Sequence, residues 1–114
     1  MLKIYGLKNC DACRKAMKWL DSEGIAHEFK DVRKDGVSAA EIGDWAKDAG
    51  VDSLLNRRGT TWRGLSDADK AKGEGDGAGA LMAEHPALIK RPVFVKGGEV
   101  RVGFKDAERA WLKA

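Results

Sequence analysis

The chain has 114 residues, 43% hydrophobic and 7% aromatic, which suits one ordinary core and gives no reason to expect a second domain. Its 21 basic and 18 acidic residues leave a net charge of +3 spread along the sequence, which argues against a dedicated nucleic-acid surface and leaves room for a local anion site. The first residues, MLKIYGLKNC, run into a strand-like pattern without a charged leader or long apolar run, so the chain reads as soluble and cytoplasmic, with no membrane partner.

Met1 to Tyr5 alternates apolar and polar residues and predicts a strand ended by Gly6. Asp11 to Glu23 then carries Cys13, Ala16, Met17 and Leu20 at helical spacing, with Gly24 as the stop. Ile25 to Val32, centred on HEFKDV, predicts a second strand, parallel to the first through a right-handed crossover. SAAE at Ser38 to Glu41 reads as a capping box for a helix that buries Ile42, Trp45, Ala46 and Ala49. Val51 to Leu55 predicts a helical turn, NRRGTTWRG a loop around a conformationally free Gly59, and Ser66 the cap of a short helix. Glycines 73, 75, 77 and 79 each cost a helix about 1 kcal/mol relative to alanine. The helix that follows is therefore expected to start late and run to His85. PVFVKGGEVRV reads as a hairpin about Gly97-Gly98, and Asp106 to Ala114 as a final helix burying Ala107, Ala110 and Trp111. This order is that of an α/β thioredoxin-like domain over residues 1–114, with a mixed four-stranded sheet and a helical insertion over about residues 38–86.

Both cysteines lie in YGLKNCDACRK. In a reducing compartment a close pair points to redox chemistry or metal rather than a permanent staple. Cys10 falls between the first strand and the first helix, where orphan amides and the positive end of the helix dipole favour an anion. A thiolate is such an anion, and Lys8 and Arg14 add charge if their side chains turn towards the sulfur. Cys13 lies one turn later, at a Cβ separation of about 5–6 Å that modest rearrangement converts to a disulfide. It also sits on the apolar stripe, so it reads either as a resolving thiol or as core filler. No metal is expected: tetrahedral zinc needs four ligands, and His27 and His85 fall on separate elements without paired spacing.

YGLKNCDAC, LLNRRGTTWR and HPALIKRPVFV, in this order and spacing, resemble the ArsC/Spx family of thioredoxin-like proteins, and most closely its YffB-like branch. The resemblance covers nearly the whole chain. It implies a nucleophilic cysteine matched by Cys10, an arginine matched by Arg58 with Arg57 as its neighbouring alternative, and Arg91 before a cis Pro92. The anion-binding set expected with Cys10 is Lys8, Asn9, Arg58, Arg91 and Pro92, since paired guanidinium donors suit an oxyanion or carboxylate. Arsenate reductases of this family carry a third arginine after the hairpin turn. Here GGEVRVGFKD puts Gly103 at that position, with Arg101 two residues out of register.

The function expected from the resemblance is a glutathione-dependent thiol-disulfide reductase with Cys10 as nucleophile. A mixed disulfide would form and be resolved by glutathione or Cys13. Glutathione is then a co-substrate, with no bound cofactor, and the substrate is a small-molecule or protein disulfide. The alternatives are an arsenate reductase that draws on glutathione or glutaredoxin, and a redox-sensing regulator like Spx that binds RNA polymerase.

Overall fold

The computed structural model describes residues 1–75 and 77–114. The chain divides into two compact units, one of residues 1–32 with 91–114 and one of residues 33–90.

The first unit is built on a four-stranded sheet of order β2-β1-β3-β4. Its strands are β1 (Leu2–Gly6), β2 (His27–Asp31), β3 (Val93–Lys96) and β4 (Glu99–Val102). β1 pairs parallel with β2 and antiparallel with β3, and β3 pairs antiparallel with β4. The mixed sheet, with its parallel β-α-β half and antiparallel hairpin half, is the thioredoxin-like arrangement. The hairpin turns on Gly97 and Gly98, whose φ values of 56° and 85° lie in the left-handed region, where a two-residue turn matching strand twist favours glycine. Residues alternate across a strand. Leu2 and Ile4 of β1 accordingly share a face, with Ile4 set between Phe29 of β2 and Phe94 of β3.

On that face lies α1 (Asp11–Ser22), which buries Cys13, Ala16 and Leu20. Leu2, Ile4, Ala16, Leu20 and Phe94 form one cluster with Leu112 of the last helix, α7 (Asp106–Lys113). Trp19 and Phe104 meet edge to face at 5.5 Å at its margin.

The phase of α7 differs from the expected one. Ala107 and Ala110 are exposed, whereas Leu112 is buried and Trp111 half-buried. The helix opens with the Lys105 amide donating to Glu108 Oε1 at 3.0 Å, and its phase follows Leu112, which joins the core cluster with Trp111 packed against it. The stripe that faces the core is thus that of Trp111 and Leu112, one residue from the alanine stripe.

The second unit is helical: α2 (Ala39–Ala49), α3 (Val51–Leu54), α4 (Thr60–Arg63), α5 (Asp67–Lys72), α6 (Ala78–Glu84) and a 3₁₀ turn at Pro86–Leu88. Ser38 and Ser66 accept from the amides three residues on, each at 3.1 Å, as their capping positions predict. The segment expected as a loop contains α4, and Gly59 has an ordinary φ of −83°. What Gly59 supplies is space, because a Cβ there would approach Asn56 Nδ2 to 3.2 Å. Residues 54–56 and 88–90 run antiparallel, with a bridge between Leu55 and Ile89. Amides of Asn56 and Lys90 donate across it to Leu88 and Leu54, each at 2.7 Å. Among the described residues, no helix is long and apolar enough to cross a membrane.

The phase of α7 is directly testable. Leu112→Ala is expected to cost about 2–3 kcal/mol in urea unfolding, and Ala110→Ser less than about 0.5 kcal/mol. The opposite ranking would mean that the helix is turned the other way.

Candidate functional site

The pairing of β1 with β3 brings two chain segments together at one end of the sheet. Tyr5 is registered against Val93, so continuing the antiparallel register sets Pro92 opposite Gly6 and Arg91 opposite Leu7. Arg91 thus stands where the chain leaves β1 for the cysteine loop. The Arg91-Pro92 peptide is cis, Pro92 is buried, and the Arg91 Nε is buried as well.

Cys10 is the N-cap of α1, with extended φ and ψ of −90° and 121°. Its amide donates to Leu7 O at 3.1 Å and its carbonyl accepts from the Arg14 amide at 3.0 Å. The side chain therefore occupies the position at which a capping group meets unpaired helical amides. Partial burial opposes ionisation of this sulfur, but four donors act against it: the Cys13 amide, the Cys13 thiol, the Arg91 guanidinium and the Ala12 amide. Their sum holds the Cys10 thiol below its ordinary range.

Cys13 has the opposite environment. It is 0% exposed, and its sulfur lies over Gly6, where any Cβ would overlap it. Burial pushes its pKa from an ordinary 9.0 up to about 11; the neighbouring Cys10 thiolate adds to the rise, while the Leu7 amide and Arg91 partly offset it. Both thiols are free. Gly6 is a site residue that sequence reading treated only as a strand stop. Its signal is a residue without a side chain on the same β1 face as Leu2 and Ile4, beneath a helix that carries a cysteine.

The charges close to Cys10 in sequence serve the loop rather than the sulfur. Arg14 Nε donates to the Lys8 carbonyl at 3.0 Å, Arg14 Nη2 reaches Asn9 Oδ1 at 3.5 Å, and Arg14 Nη1 lies 3.9 Å from Asp11. Lys8 and Asn9 are exposed. The guanidinium that donates to Cys10 comes instead from Arg91, 81 positions along the chain.

Gly103 lies beside Pro92, its amide donating to Pro92 O at 2.9 Å. Its φ is 97°, and a Cβ there would come within 3.3 Å of Glu108 Oε1. Arg101 is registered against Phe94, and its guanidinium lies 5.2 Å from the centre of the Trp111 ring.

Arg57 and Arg58 belong to the helical unit. Arg57 is tied down by Asp52 at 2.9 Å, by the Gly73 carbonyl at 3.4 Å and by the Trp62 ring at 5.7 Å. Arg58 is exposed and its amide donates to Asn56 Oδ1 at 3.0 Å. Its side chain forms no ion pair among the described residues, so of the two arginines it is the one with donors available to a ligand.

The ArsC family model matches residues 5–111 of the chain. A solved YffB protein is 39% identical, with full coverage of both chains and a TM-score of 0.87. A solved arsenate reductase (ArsC) related protein from Brucella melitensis is 38% identical over 99% of this chain and 95% of its own, with a TM-score of 0.74. The global transcriptional regulator Spx of Listeria innocua is 25% identical, the match covering 95% of this chain and 83% of its own.

The buried state of Cys13 fixes a sign for pH dependence. A thiol held protonated in the fold ionises more readily in the unfolded chain. Its stabilising contribution is therefore full below about 9.0 and falls as pH climbs through about 11. In urea unfolding, the stability advantage of the native protein over Cys13→Ala is expected to shrink from pH 8 to pH 11. An advantage that stays constant would contradict the burial of a neutral thiol.

Proposed function

The chain belongs to the ArsC family, and from that premise we propose that it is a thiol-disulfide reductase with Cys10 as nucleophile and glutathione as co-substrate. The observation that carries this reading is the unequal state of the two thiols. Cys10 is half-buried, with its pKa lowered, while Cys13 is fully buried with its pKa near 11. Thiolates are the attacking species in exchange.

In the proposed cycle the Cys10 thiolate attacks the glutathione sulfur of a mixed disulfide between glutathione and a second thiol. The substrate S–S bond breaks and a Cys10-glutathione disulfide forms. The other sulfur leaves as a thiolate and takes a proton from solvent. A second glutathione thiolate then attacks the glutathione sulfur on Cys10, giving oxidised glutathione and returning the Cys10 thiolate. Two electrons pass in all, and the oxidised product is the glutathione disulfide. Arg91 and the helix amides stabilise the charge each time it returns to Cys10. A hidden, protonated Cys13 is a poor resolving thiol, which supports resolution from outside the chain. Its thiol instead donates to Cys10.

Arsenate reduction is the neighbouring reading, and Gly103 weighs against it. The position lacks the third arginine of the family's arsenate reductases, and with it one charge-assisted donor of about 1.5–3 kcal/mol. Restoring it by Gly103→Arg meets a left-handed φ of 97° and the Glu108 carboxylate, so that variant is expected to gain little arsenate activity.

The test is turnover with glutathione, read through recycling of oxidised glutathione, on a small glutathione mixed disulfide and on arsenate. Disulfide reduction is expected to exceed arsenate reduction. Cys10→Ser abolishes it and Cys13→Ser retains most of it. Vigorous arsenate turnover would reverse the ranking. No turnover on either substrate, together with tight capture of RNA polymerase, would replace the enzyme by a regulator of the Spx kind.

A further inference from the structure

The helical unit holds a pocket of about 370 Å³ lined by Asp52, Leu55, Arg57, Arg58 and Lys90. Its walls follow from the short antiparallel bridge: pairing Leu55 with Ile89 sets the chain after Asn56 close to Lys90. Asp52 then anchors two cations from one residue. Its carboxylate accepts from Arg57 Nη1 at 2.9 Å, and its backbone carbonyl accepts from Lys90 Nζ at 3.1 Å. The carbonyl is neutral, so the Lys90 charge is oriented without being cancelled, and the ammonium keeps further N–H donors.

Three cations against one carboxylate leave the pocket with a formal +2, that is 3 − 1. Arg58 adds a guanidinium with no ion pair among the described residues. An anion is the complementary ligand. The space exceeds that of a compact inorganic oxyanion and falls in the range of small-molecule sites. A planar carboxylate also matches the two parallel donors of a guanidinium.

We propose that this pocket binds the carboxylate of a small peptide-like ligand such as glutathione, with Arg58 and Lys90 as the binding cations and Asp52 and Arg57 as their scaffold. The proposal rests on the reductase reading for one thing alone, the choice of glutathione as the carrier of the carboxylate. Lys90 is the residue it adds.

The test uses the full chain carrying Cys10→Ser, which cannot form the mixed disulfide, and S-methylglutathione, which cannot exchange. Amide shifts of Arg58 and Lys90 are followed by nuclear magnetic resonance during the titration. Both signals are expected to move. Lys90→Met and Arg58→Gln, each added to the Cys10→Ser chain, are expected to weaken binding about tenfold, the factor for one charge-assisted donor. The diethyl ester of S-methylglutathione is expected to lose a similar factor or more. Both exposed substitutions are checked for an otherwise unchanged amide spectrum.

Unmoved Arg58 and Lys90 signals, an ester that binds as well as the acid, or unchanged affinity in Lys90→Met would overturn the site. Tighter binding of inorganic phosphate than of S-methylglutathione would also overturn it, in favour of an inorganic oxyanion site. Turnover by the native protein reports on Cys10 separately. Turnover without these shifts rejects the pocket and spares the reductase reading, whereas shifts without turnover support the pocket and reject the reductase.

Discussion

The site depends on a contest at one sulfur atom. Partial burial resists a charge on Cys10, and the donors gathered there outweigh it: two amides at the start of α1, the Cys13 thiol and the Arg91 guanidinium. None of these donors is close to Cys10 by accident of side-chain flexibility. The amides are there because Cys10 is the N-cap. Arg91 is there because β3 runs antiparallel to β1, with Tyr5 registered against Val93. A slip of one residue in that pairing would turn every β3 side chain to the opposite face. The core cluster around Ile4 and Phe94 resists such a slip, so packing beneath the sheet is what keeps the electrostatics at its end in order.

The two cysteines divide the chemistry between them through depth. Cys13 is one turn from Cys10 on the inward face of α1, and the absence of a side chain at Gly6 lets its sulfur settle against β1. Burial keeps it protonated, and a protonated thiol is a donor. The same burial makes it a weak nucleophile, and in the proposed cycle the second half of the exchange therefore falls to a thiol from solution. On the proposed reading, a pair with disulfide spacing thus operates as one nucleophile and one hydrogen-bond donor.

Much of this was legible in the sequence because it is local. The β1-α1-β2 segment, the Gly97-Gly98 hairpin and the serine caps each rest on periodicity or turn chemistry within a few residues, and all of them formed. Cys10 could be placed at a helix start for the same reason. The parts that escaped are set by contacts distant in sequence or by a choice between near-equal local options. Lys8 and Arg14 are near Cys10 in sequence, yet Arg14 braces the Lys8 carbonyl and Asn9. The role of Gly6 depends on a helix packing over it. The phase of α7 followed the packing of Leu112 and Trp111 rather than its alanines. The distinction between Arg57 and Arg58 required seeing Asp52 and Trp62 hold the former.

The central claim is that the fold, through Arg91 and the helix start, lowers the pKa of the Cys10 thiol. The most direct measurement is the rate of Cys10 alkylation by iodoacetamide against pH, resolved from Cys13 by mass spectrometry, in the native protein and in Arg91→Met. The account predicts an apparent Cys10 pKa below the free-thiol value of about 8.5, and a clear rise when the guanidinium is removed. A native Cys10 that titrates at or above that value, or one indifferent to the loss of Arg91, would contradict it.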